Sequence, residues 1–212
     1  MTFEQLEKRI GKQNKEEWTQ HPNGEGWVKK TASVEATVFI EGIVSGNAWV
    51  SGDAMVSGDA MVSGNARVSG NARVSGNARV YGNALVSGNA MVSGNAWVYG
   101  DARVSGNAWV FGDAMVYGNA MVYGNAWVYG DARVYGDARV YGDAWDKSPL
   151  FVVGSRFSCS NAKRGHLQIG CECHPFAWWR EHGLALAKAN NFTDAEVAEY
   201  TAYLELFEKI GK

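Results

Sequence analysis

The residues best suited to chemistry follow residue 158, where the chain has all three of its cysteines. Cys171, Cys173 and His174 form a Cys-x-Cys-His run, and Cys159 and His166 lie upstream. Such a set could hold zinc, but structural zinc sites usually separate paired cysteines by about two to four residues. A thiolate beside an imidazole could also act as a nucleophile and its base. Neither spacing is specific, so we expect buried structural thiols, no metal and no catalytic residue.

A second set of candidates consists of arginines next to aromatic residues in the later part of the chain. Arginine can grip a phosphate, and its planar guanidinium can stack on a base. The candidate ligand-binding residues are Arg103, Arg133, Arg139, Trp109, Trp127, Trp145, Tyr117, Tyr135, Trp178, Trp179 and Arg180. The alternative is that these arginines only keep the surface soluble and stack on neighbouring rings.

A six-residue repeat must position most of these side chains. From Val44 to Val140 a valine occurs at every sixth position of the unit Val-[Ser/Tyr/Phe]-Gly-[Asn/Asp]-Ala-X, where X is Trp, Met, Arg or Leu. The β-branched valine suits a strand and points inward, so its two neighbours point outward because strand side chains alternate. Glycine and Asn or Asp tolerate the positive φ of a corner, where an inward alanine fits. Three such sides close a coil of 18 residues.

The repeat resembles the hexapeptide-repeat family of left-handed β-helices. The matching residues run from Val44 through Ala48 to Val140 through Ala144. This resemblance implies a mainly β fold, namely a left-handed parallel β-helix of about six triangular coils over residues 32–145. It also implies trimers packed side by side. Many members are acyltransferases and some are carbonic anhydrases, but residues 32–145 contain no His, Cys or Lys, so we expect no enzyme activity.

The open ends of such a solenoid must be capped. Residues 1–31 predict a short helix and cap, because Thr2 and Gln5 form a possible capping box before a turn-rich stretch. Residues 146–212 predict a small α+β domain. Its predicted elements are strands at 150–154 and 166–173, a helix from Pro175 to about residue 189, and a helix that starts at the Thr193–Glu196 capping box and has Val197, Tyr200, Leu204 and Phe207 on one face.

The outward positions become aromatic along the repeat. Residues 18 apart stack, and serine and methionine in the early coils give way to tyrosine and tryptophan in the later ones. The predicted ladders are Tyr81–Tyr99–Tyr117–Tyr135 and Trp109–Trp127–Trp145. Continuous aromatic surface usually marks a contact, although aromatic ladders can also simply stabilise stacked strands. We expect a homo-oligomer, a trimer, with its contact at the later coils.

The whole chain resembles proteins encoded in tailed-phage genomes. These share a His-Pro-Asn-Gly and Gly-Trp-Val turn, Gly-Asn-Ala-x-Val repeats and an Ile-Gly-Cys segment, which are residues 21–24, 26–28 and 169–171 here. The resemblance itself brings little established activity. The arginines beside tryptophan and tyrosine on the later coils, together with the Trp-Trp-Arg run, lead us to expect a non-enzymatic phage-type anti-defence protein of the host cytoplasm that sequesters a small anionic ligand, such as a cyclic nucleotide. The alternatives are a structural or assembly protein and a degenerate hexapeptide acyltransferase.

Charge and hydropathy exclude some partners. The net charge is -2 and no segment is a basic arm, which does not favour bulk binding of DNA or RNA. No apolar run approaches the ~18 residues of a membrane span, and the N-terminus is polar. We therefore expect a soluble cytoplasmic protein without a signal peptide, a membrane partner or a cofactor.

Overall fold

The molecule is a β-solenoid with a helix at its N-terminal end and a small unit of strands and helices at its C-terminal end. The structure, a computed structural model, describes residues 1–142, 144–145 and 147–210. The first elements are α1 (Phe3–Ile10), a 3-10 turn (Lys15–Glu17), β1 (Trp18–Gln20) and β2 (Trp27–Lys29). The solenoid continues with β3 (Ser33–Val34), β4 (Phe39–Ile40), β5 (Ile43–Val44), β6 (Trp49–Val50), β7 (Met55–Val56), β8 (Met61–Val62), β9 (Arg67–Val68), β10 (Arg73–Val74), β11 (Arg79–Val80), β12 (Leu85–Val86), β13 (Met91–Val92), β14 (Trp97–Val98), β15 (Arg103–Val104), β16 (Trp109–Val110), β17 (Met115–Val116), β18 (Met121–Tyr123), β19 (Trp127–Val128), β20 (Arg133–Val134), β21 (Arg139–Tyr141) and β22 (Ala144–Trp145). The C-terminal elements are β23 (Phe151–Val153), β24 (Ser158–Ser160), β25 (His166–Ile169), β26 (Glu172–Pro175), α2 (Phe176–Ala189) and α3 (Asp194–Ile210).

Three parallel sheets form the sides of the solenoid. Sheet 1 has the order β2-β5-β8-β11-β14-β17-β20, with β1 antiparallel at its edge; sheet 2 is β3-β6-β9-β12-β15-β18-β21, and sheet 3 is β4-β7-β10-β13-β16-β19-β22. Each strand pairs with the strand one coil later, as Val74 does with Val92. The predicted β-helix of about six coils is thereby confirmed. Its left-handed winding stays a prediction, because strand order and register do not set it.

The solenoid core consists of the repeated valines and alanines. Every valine from Val44 to Val140 and every alanine from Ala48 to Ala138 is at most 1% exposed, as the repeat predicts. Burial of a valine side chain stabilises a fold by about 1.5 kcal/mol or more relative to its exposure. Since each coil contributes the same residues, the core has no position left over for a polar or catalytic group.

The corners require glycine for two separate reasons, the turn itself and the close approach of the next coil. Gly82 has φ +73°, a conformation that L-residues rarely adopt. A Cβ on Gly82 would also lie 2.9 Å from the backbone nitrogen of Gly100, which is the corner of the next coil. The corner therefore needs glycine both for its dihedral angle and for the close contact between coils.

The Asn/Asp position forms hydrogen-bonded ladders that the sequence analysis did not foresee. Among the described corners, asparagine donates its Nδ2 to the Oδ1 of the corner residue one coil later, as Asn65 does to Asn83 at 3.1 Å. These ladders are Asn47–Asn65–Asn83–Asp101, Asn71–Asn89–Asn107–Asn125, Asn77–Asn95–Asp113 and Asn119–Asp137. An ionised aspartate accepts but has no proton to donate, so it ends the ladder that reaches it.

The N-terminal cap is continuous with the first coil. The Thr2–Gln5 capping box of α1 is confirmed, with both of its hydrogen bonds present. Strand β2 pairs with β5 in sheet 1, so the first coil begins at Trp27, ahead of the boundary predicted at residue 32. Leu6 of α1 is fully buried against this coil, and an ion pair joins Arg9 to Asp59.

Trp145 departs from the predicted outward ladder Trp109–Trp127–Trp145. In the structure Ala144 pairs with Trp127 and Trp145 pairs with Val128, which puts Trp145 at the inward valine position. Trp145 is 4% exposed and belongs to the solenoid core. If the six-residue period continued, position 146 would take the inward valine place and Trp145 would point outward. A shift of register by one residue reverses this, because neighbouring strand residues point to opposite faces. The indole therefore closes the end of the valine column instead of extending a surface ladder.

The C-terminal unit is an antiparallel sheet, β23-β24-β25-β26, packed against α2 and α3. The Thr193–Glu196 capping box of α3 and both helices agree with the sequence analysis. The single strand predicted at 166–173 is instead a hairpin, because Gly170 turns the chain with φ +59°. Strand β24 was not predicted. No helix within the described ranges is long and apolar enough to cross a membrane.

The C-terminal unit covers the last coil of the solenoid. The backbone N–H of Tyr141 donates to Ala162 O at 2.9 Å, and the Tyr141 hydroxyl lies 3.1 Å from Cys173 Sγ. At the edge of sheet 1, Ser148 Oγ accepts from the N–H of Arg133 at 2.9 Å. These bonds satisfy backbone groups that an open sheet edge would leave unpaired.

The ladder geometry predicts that Asp113→Asn stabilises the protein. Asp113 ends its ladder, and Asp131 occupies the same corner one coil later. An asparagine at 113 could donate to Asp131 and so extend the ladder by one hydrogen bond, which should raise the free energy of unfolding by about 1 kcal/mol in denaturant titrations.

Asp137→Asn is the matched control for this stabilisation. Asp137 also ends a ladder, but the repeat has no corner residue one coil after it. This variant should change the free energy of unfolding by less than about 0.5 kcal/mol. Equal effects of the two substitutions would contradict the ladder explanation.

Candidate functional site

The outward X positions give the three sheets different surfaces. On sheet 1 they are Met61, Arg79, Trp97, Met115 and Arg133, while Ile43 of the first coil is fully buried in the cluster with Leu6 of α1. On sheet 2 they are Ser33, Trp49, Arg67, Leu85, Arg103, Met121 and Arg139. On sheet 3 they are Phe39, Met55, Arg73, Met91, Trp109 and Trp127. Sheet 3 thus has the fewest charged residues at the X position, and its later coils present only aromatic residues there.

Four aromatic side chains form a continuous patch on the later coils of sheet 3, here called the aromatic patch: Trp109, Phe111, Trp127 and Tyr129. Trp109 and Trp127 stack with centroids 5.0 Å apart and are 38% and 44% exposed. Phe111 and Tyr129 stack with centroids 5.2 Å apart, and Phe111 and Trp127 form an edge-to-face pair with centroids 6.5 Å apart. Because the register of neighbouring strands fixes these rings, the patch exists before any partner binds.

The predicted tyrosine ladder is present beside the strands of sheet 1. Tyr81, Tyr99, Tyr117 and Tyr135 stack with successive centroid distances of 4.9, 5.0 and 5.6 Å. Phe151 of β23 continues the column, with its edge toward Tyr135 at 6.0 Å. The C-terminal unit therefore covers the end of this ladder, while Tyr135 itself remains 39% exposed.

The candidate arginines of the solenoid lie on two different sheets. Arg133 is on sheet 1, whereas Arg103 and Arg139 are on sheet 2 with Met121 between them. All three side chains are exposed, and none of them forms an ion pair within the part of the chain that the structure describes. The structure does not bring the three together into one pocket.

Two of these arginines influence neighbouring tyrosines. Burial raises the pKa of Tyr99, as do the adjacent phenols of the ladder, while the charge of Arg133 lowers it. Burial likewise raises the pKa of Tyr123, and Arg139 opposes this increase. The charges of Arg133 and Arg139 therefore act on the phenols of the same faces, on sheet 1 and sheet 2 respectively.

The predicted group Trp178-Trp179-Arg180 stabilises the C-terminal unit. Trp179 is 7% exposed and donates its indole N–H to Leu167 O at 2.7 Å. Trp178 stacks between His174 and His182, with centroids 3.6 and 4.8 Å away. The guanidinium of Arg180 forms an ion pair with Glu208, so its charge is already balanced. These three residues do not adjoin the aromatic patch, and their ligand-binding role stays a prediction.

The cysteines have separate environments. Cys159 is buried, and burial together with the nearby Glu199 carboxylate raises the pKa of its thiol to about 12. Cys171 is exposed at the hairpin turn, whereas Cys173 contacts the hydroxyl of Tyr141. Within the described ranges, no group of His, Cys, Asp and Glu side chains could hold a metal ion. A thiol with the pKa of Cys159 is almost entirely protonated at neutral pH and is a poor nucleophile.

Sequence reasoning missed an apolar cleft in the C-terminal unit. The cleft has a volume of about 410 Å³ and lies between α2, α3 and the turn that joins β25 to β26. Its walls come from segments far apart in the sequence, so no local pattern reveals it. The one local indication is Gly183, a glycine in the interior of α2, where glycine is unfavourable.

Comparisons with known proteins support the repeat. A family model described as the YdcK Beta solenoid repeat matches residues 55–70, 60–76, 66–82, 72–88, 78–94, 84–100, 98–112, 114–130 and 132–147. No curated protein and no solved structure matches the chain. The resemblances to hexapeptide-repeat and tailed-phage proteins stay predictions. The chain therefore contains a β-solenoid similar to the YdcK repeat, and such a solenoid fits a structural or scaffold role.

Proposed function

We propose that the protein is a non-enzymatic scaffold that assembles with two further copies of itself through the aromatic patch on sheet 3. The observation that carries this proposal is the stacked, exposed pair Trp109 and Trp127 on the later coils of sheet 3, the sheet with the fewest charged residues at the X position. A scaffold also accounts for a solenoid core built almost entirely of apolar valine and alanine side chains, with Ile40 and Trp145 at its two ends.

The aromatic patch has the composition expected of a protein contact. Large aromatic side chains contribute much apolar area at little cost in conformational entropy, and they are enriched in the buried centres of interfaces. The stacked rings of the patch extend over two coils, which gives a continuous apolar surface without a charged side chain at the X position. The single arginine on this face, Arg73, lies two coils before Trp109.

A trimer suits a body with three flat sides. Three parallel prisms can surround a three-fold axis so that each contributes one face to the centre and meets two neighbours. Closed rotational symmetry also stops growth of the assembly, whereas an open repeat of the same contact would give fibres. The aromatic patch, which lies at one height along the prism, would then meet its counterparts at a single level.

The proposal predicts that Trp127→Arg dissociates the assembly. Arginine occupies the same X position at several other repeats, for example at 133 and 139, so the solenoid tolerates it. At 127 it would place a charge at the centre of the interface. Wild type should sediment as a trimer, and Trp127→Arg should sediment as a monomer with unchanged circular dichroism.

Trp49→Arg is the matched control, because Trp49 also occupies an X position and is 49% exposed, but lies on sheet 2 away from the patch. This variant should remain trimeric. A monomeric wild type, or a trimer that survives Trp127→Arg, would contradict the proposal.

A second candidate function is capture of a small anionic ligand, such as a cyclic nucleotide. It is favoured by the exposed guanidinium of Arg133, which lies beside the tyrosine ladder and has no carboxylate partner in the described part of the chain. Arginine next to aromatic rings can bind a phosphate and stack a base. In the setting that the tailed-phage resemblance implies, this capture would sequester a nucleotide immune signal in the host cytoplasm.

Isothermal titration with a panel of cyclic nucleotides tests this second function. At least one nucleotide should give saturable heat that falls with salt, and Arg133→Gln should weaken its binding about ten-fold through loss of a charge-assisted hydrogen bond. Arg73→Gln, an exposed arginine of an early coil, should leave binding unchanged. Absence of heat with every nucleotide would exclude this function and leave the scaffold proposal standing.

A further inference from the structure

We infer that the C-terminal unit binds a neutral apolar small molecule that contains an aromatic ring, in the cleft between α2, α3 and the β25–β26 turn. This site lies outside the solenoid, and its existence does not depend on the proposed assembly or on the capture of an anion.

The cleft has the size and the walls of a small-molecule site. Its volume of about 410 Å³ lies within the range of about 300–1,000 Å³ that is usual for ligand pockets. Phe157, Phe192 and Tyr200 form an aromatic wall, in which Phe192 meets Phe157 at 6.0 Å and Tyr200 at 5.4 Å. The aliphatic lining is Ile169, Leu184, Leu186, Ala187, Val197 and Leu204. An aromatic molecule could stack on the first wall while the second excludes water.

Polar side chains on the aromatic side of the cleft are already hydrogen-bonded. The hydroxyl of Tyr200 donates to Phe157 O at 2.9 Å and accepts from the N–H of Arg156 at 3.0 Å. Thr201 donates its hydroxyl to Val197 O at 2.7 Å, inside its own helix. These groups therefore offer little to a ligand that needs a hydrogen bond.

The charged residues at the rim also have partners. Arg180 is paired with Glu208, and Glu172 is paired with His174 at 3.0 Å. An ionised ligand would lose its hydration and gain no free counter-charge, which is unfavourable. The lining thus complements a neutral ligand and disfavours an anion or a cation.

The walls are held in place by bonds that do not need a ligand. Trp179 is anchored to Leu167 O at 2.7 Å, and Glu199 of α3 accepts from the N–H of Ser155 at 2.7 Å. Together with the Tyr200 hydroxyl, these bonds tie the helices to the sheet on both sides of the cleft. A cleft with fixed walls does not close by simple rearrangement of side chains, so its apolar surface remains available.

Gly183 keeps the cleft open at a cost to the helix. Glycine inside a helix is less favourable than alanine by about 1 kcal/mol. Packing does not require it, because an added Cβ would meet only the ring of Trp179, at an ordinary contact distance of 3.4 Å. Gly183 does line the cleft, where a larger side chain would occupy the ligand's volume.

Fluorescence titration with N-phenyl-1-naphthylamine, a neutral aromatic probe, tests this inference on the full chain. Wild type should show saturable enhancement with one site per chain. Gly183→Leu should weaken binding at least ten-fold while the melting temperature is maintained or raised. Ala185→Leu, an exposed neighbour on α2 that does not line the cleft, should bind like wild type.

A second pair of variants tests the opposite wall. Thr201→Phe on α3 should weaken probe binding, whereas Ala202→Phe, its exposed neighbour outside the lining, should not. If Gly183→Leu fails to fold, this pair decides the question. Absence of saturable binding to the wild type would overturn the inference. So would binding that persists in both cleft variants but is lost in Trp127→Arg, because that result would place the probe on the solenoid.

Discussion

The close stacking of one coil on the next is the contact on which every other feature of this molecule depends. At most corners the backbone of a glycine approaches the backbone of the glycine 18 residues later so closely that an added Cβ would be crowded, as at Gly82 and Gly100. This approach allows the parallel strands of the three sheets to pair in register. It is also why the repeat keeps the same length without exception from Val44 to Val140.

Because the coils stack in register, side chains 18 residues apart line up as columns along the solenoid. Asparagines at the corner become hydrogen-bonded ladders, and aromatic residues become stacks with centroids about 5 Å apart. The columns in turn give the prism its faces: a tyrosine column beside sheet 1, arginines on sheet 2 and the aromatic patch on sheet 3. Because the faces are rigid and different, the protein can direct a partner to one side, which is the physical basis of the proposed scaffold.

The sequence predicted the solenoid well because its contacts repeat at a fixed spacing. The inward valines, the inward alanines and the tyrosine ladder all follow from the period and the alternation of strand side chains. Trp145 was misplaced because it lies where the period ends, and only the register of β22 shows that its indole turns inward. The asparagine ladders were missed because the preference of Asn and Asp for turns already explains their place at the corner. Their second role, the side-chain hydrogen bond to the next coil, leaves no separate signal in the sequence.

The C-terminal unit was less predictable because long-range contacts decide it. The capping box at Thr193 is local and was found, whereas the hairpin at Gly170 was read as a single strand. Arg180 looked available to a ligand, yet it pairs with Glu208, a residue 28 positions away. The cleft has no counterpart in any local pattern, because its lining joins α2, α3 and the β25–β26 turn.

The most direct measurement of the central contact compares two corner glycines that differ only in the space above them. Gly82 and Gly124 have φ values of +73° and +68°, but an added Cβ would lie 2.9 Å from the next coil at Gly82 and 4.0 Å from it at Gly124. Gly124→Ala should therefore cost only the strain of its dihedral angle, about 1–2 kcal/mol, whereas Gly82→Ala should lower the free energy of unfolding by at least about 1 kcal/mol more. Equal losses in denaturant titrations of the two variants would show that turn geometry alone requires the glycines, and would contradict coil-on-coil contact as the organising constraint.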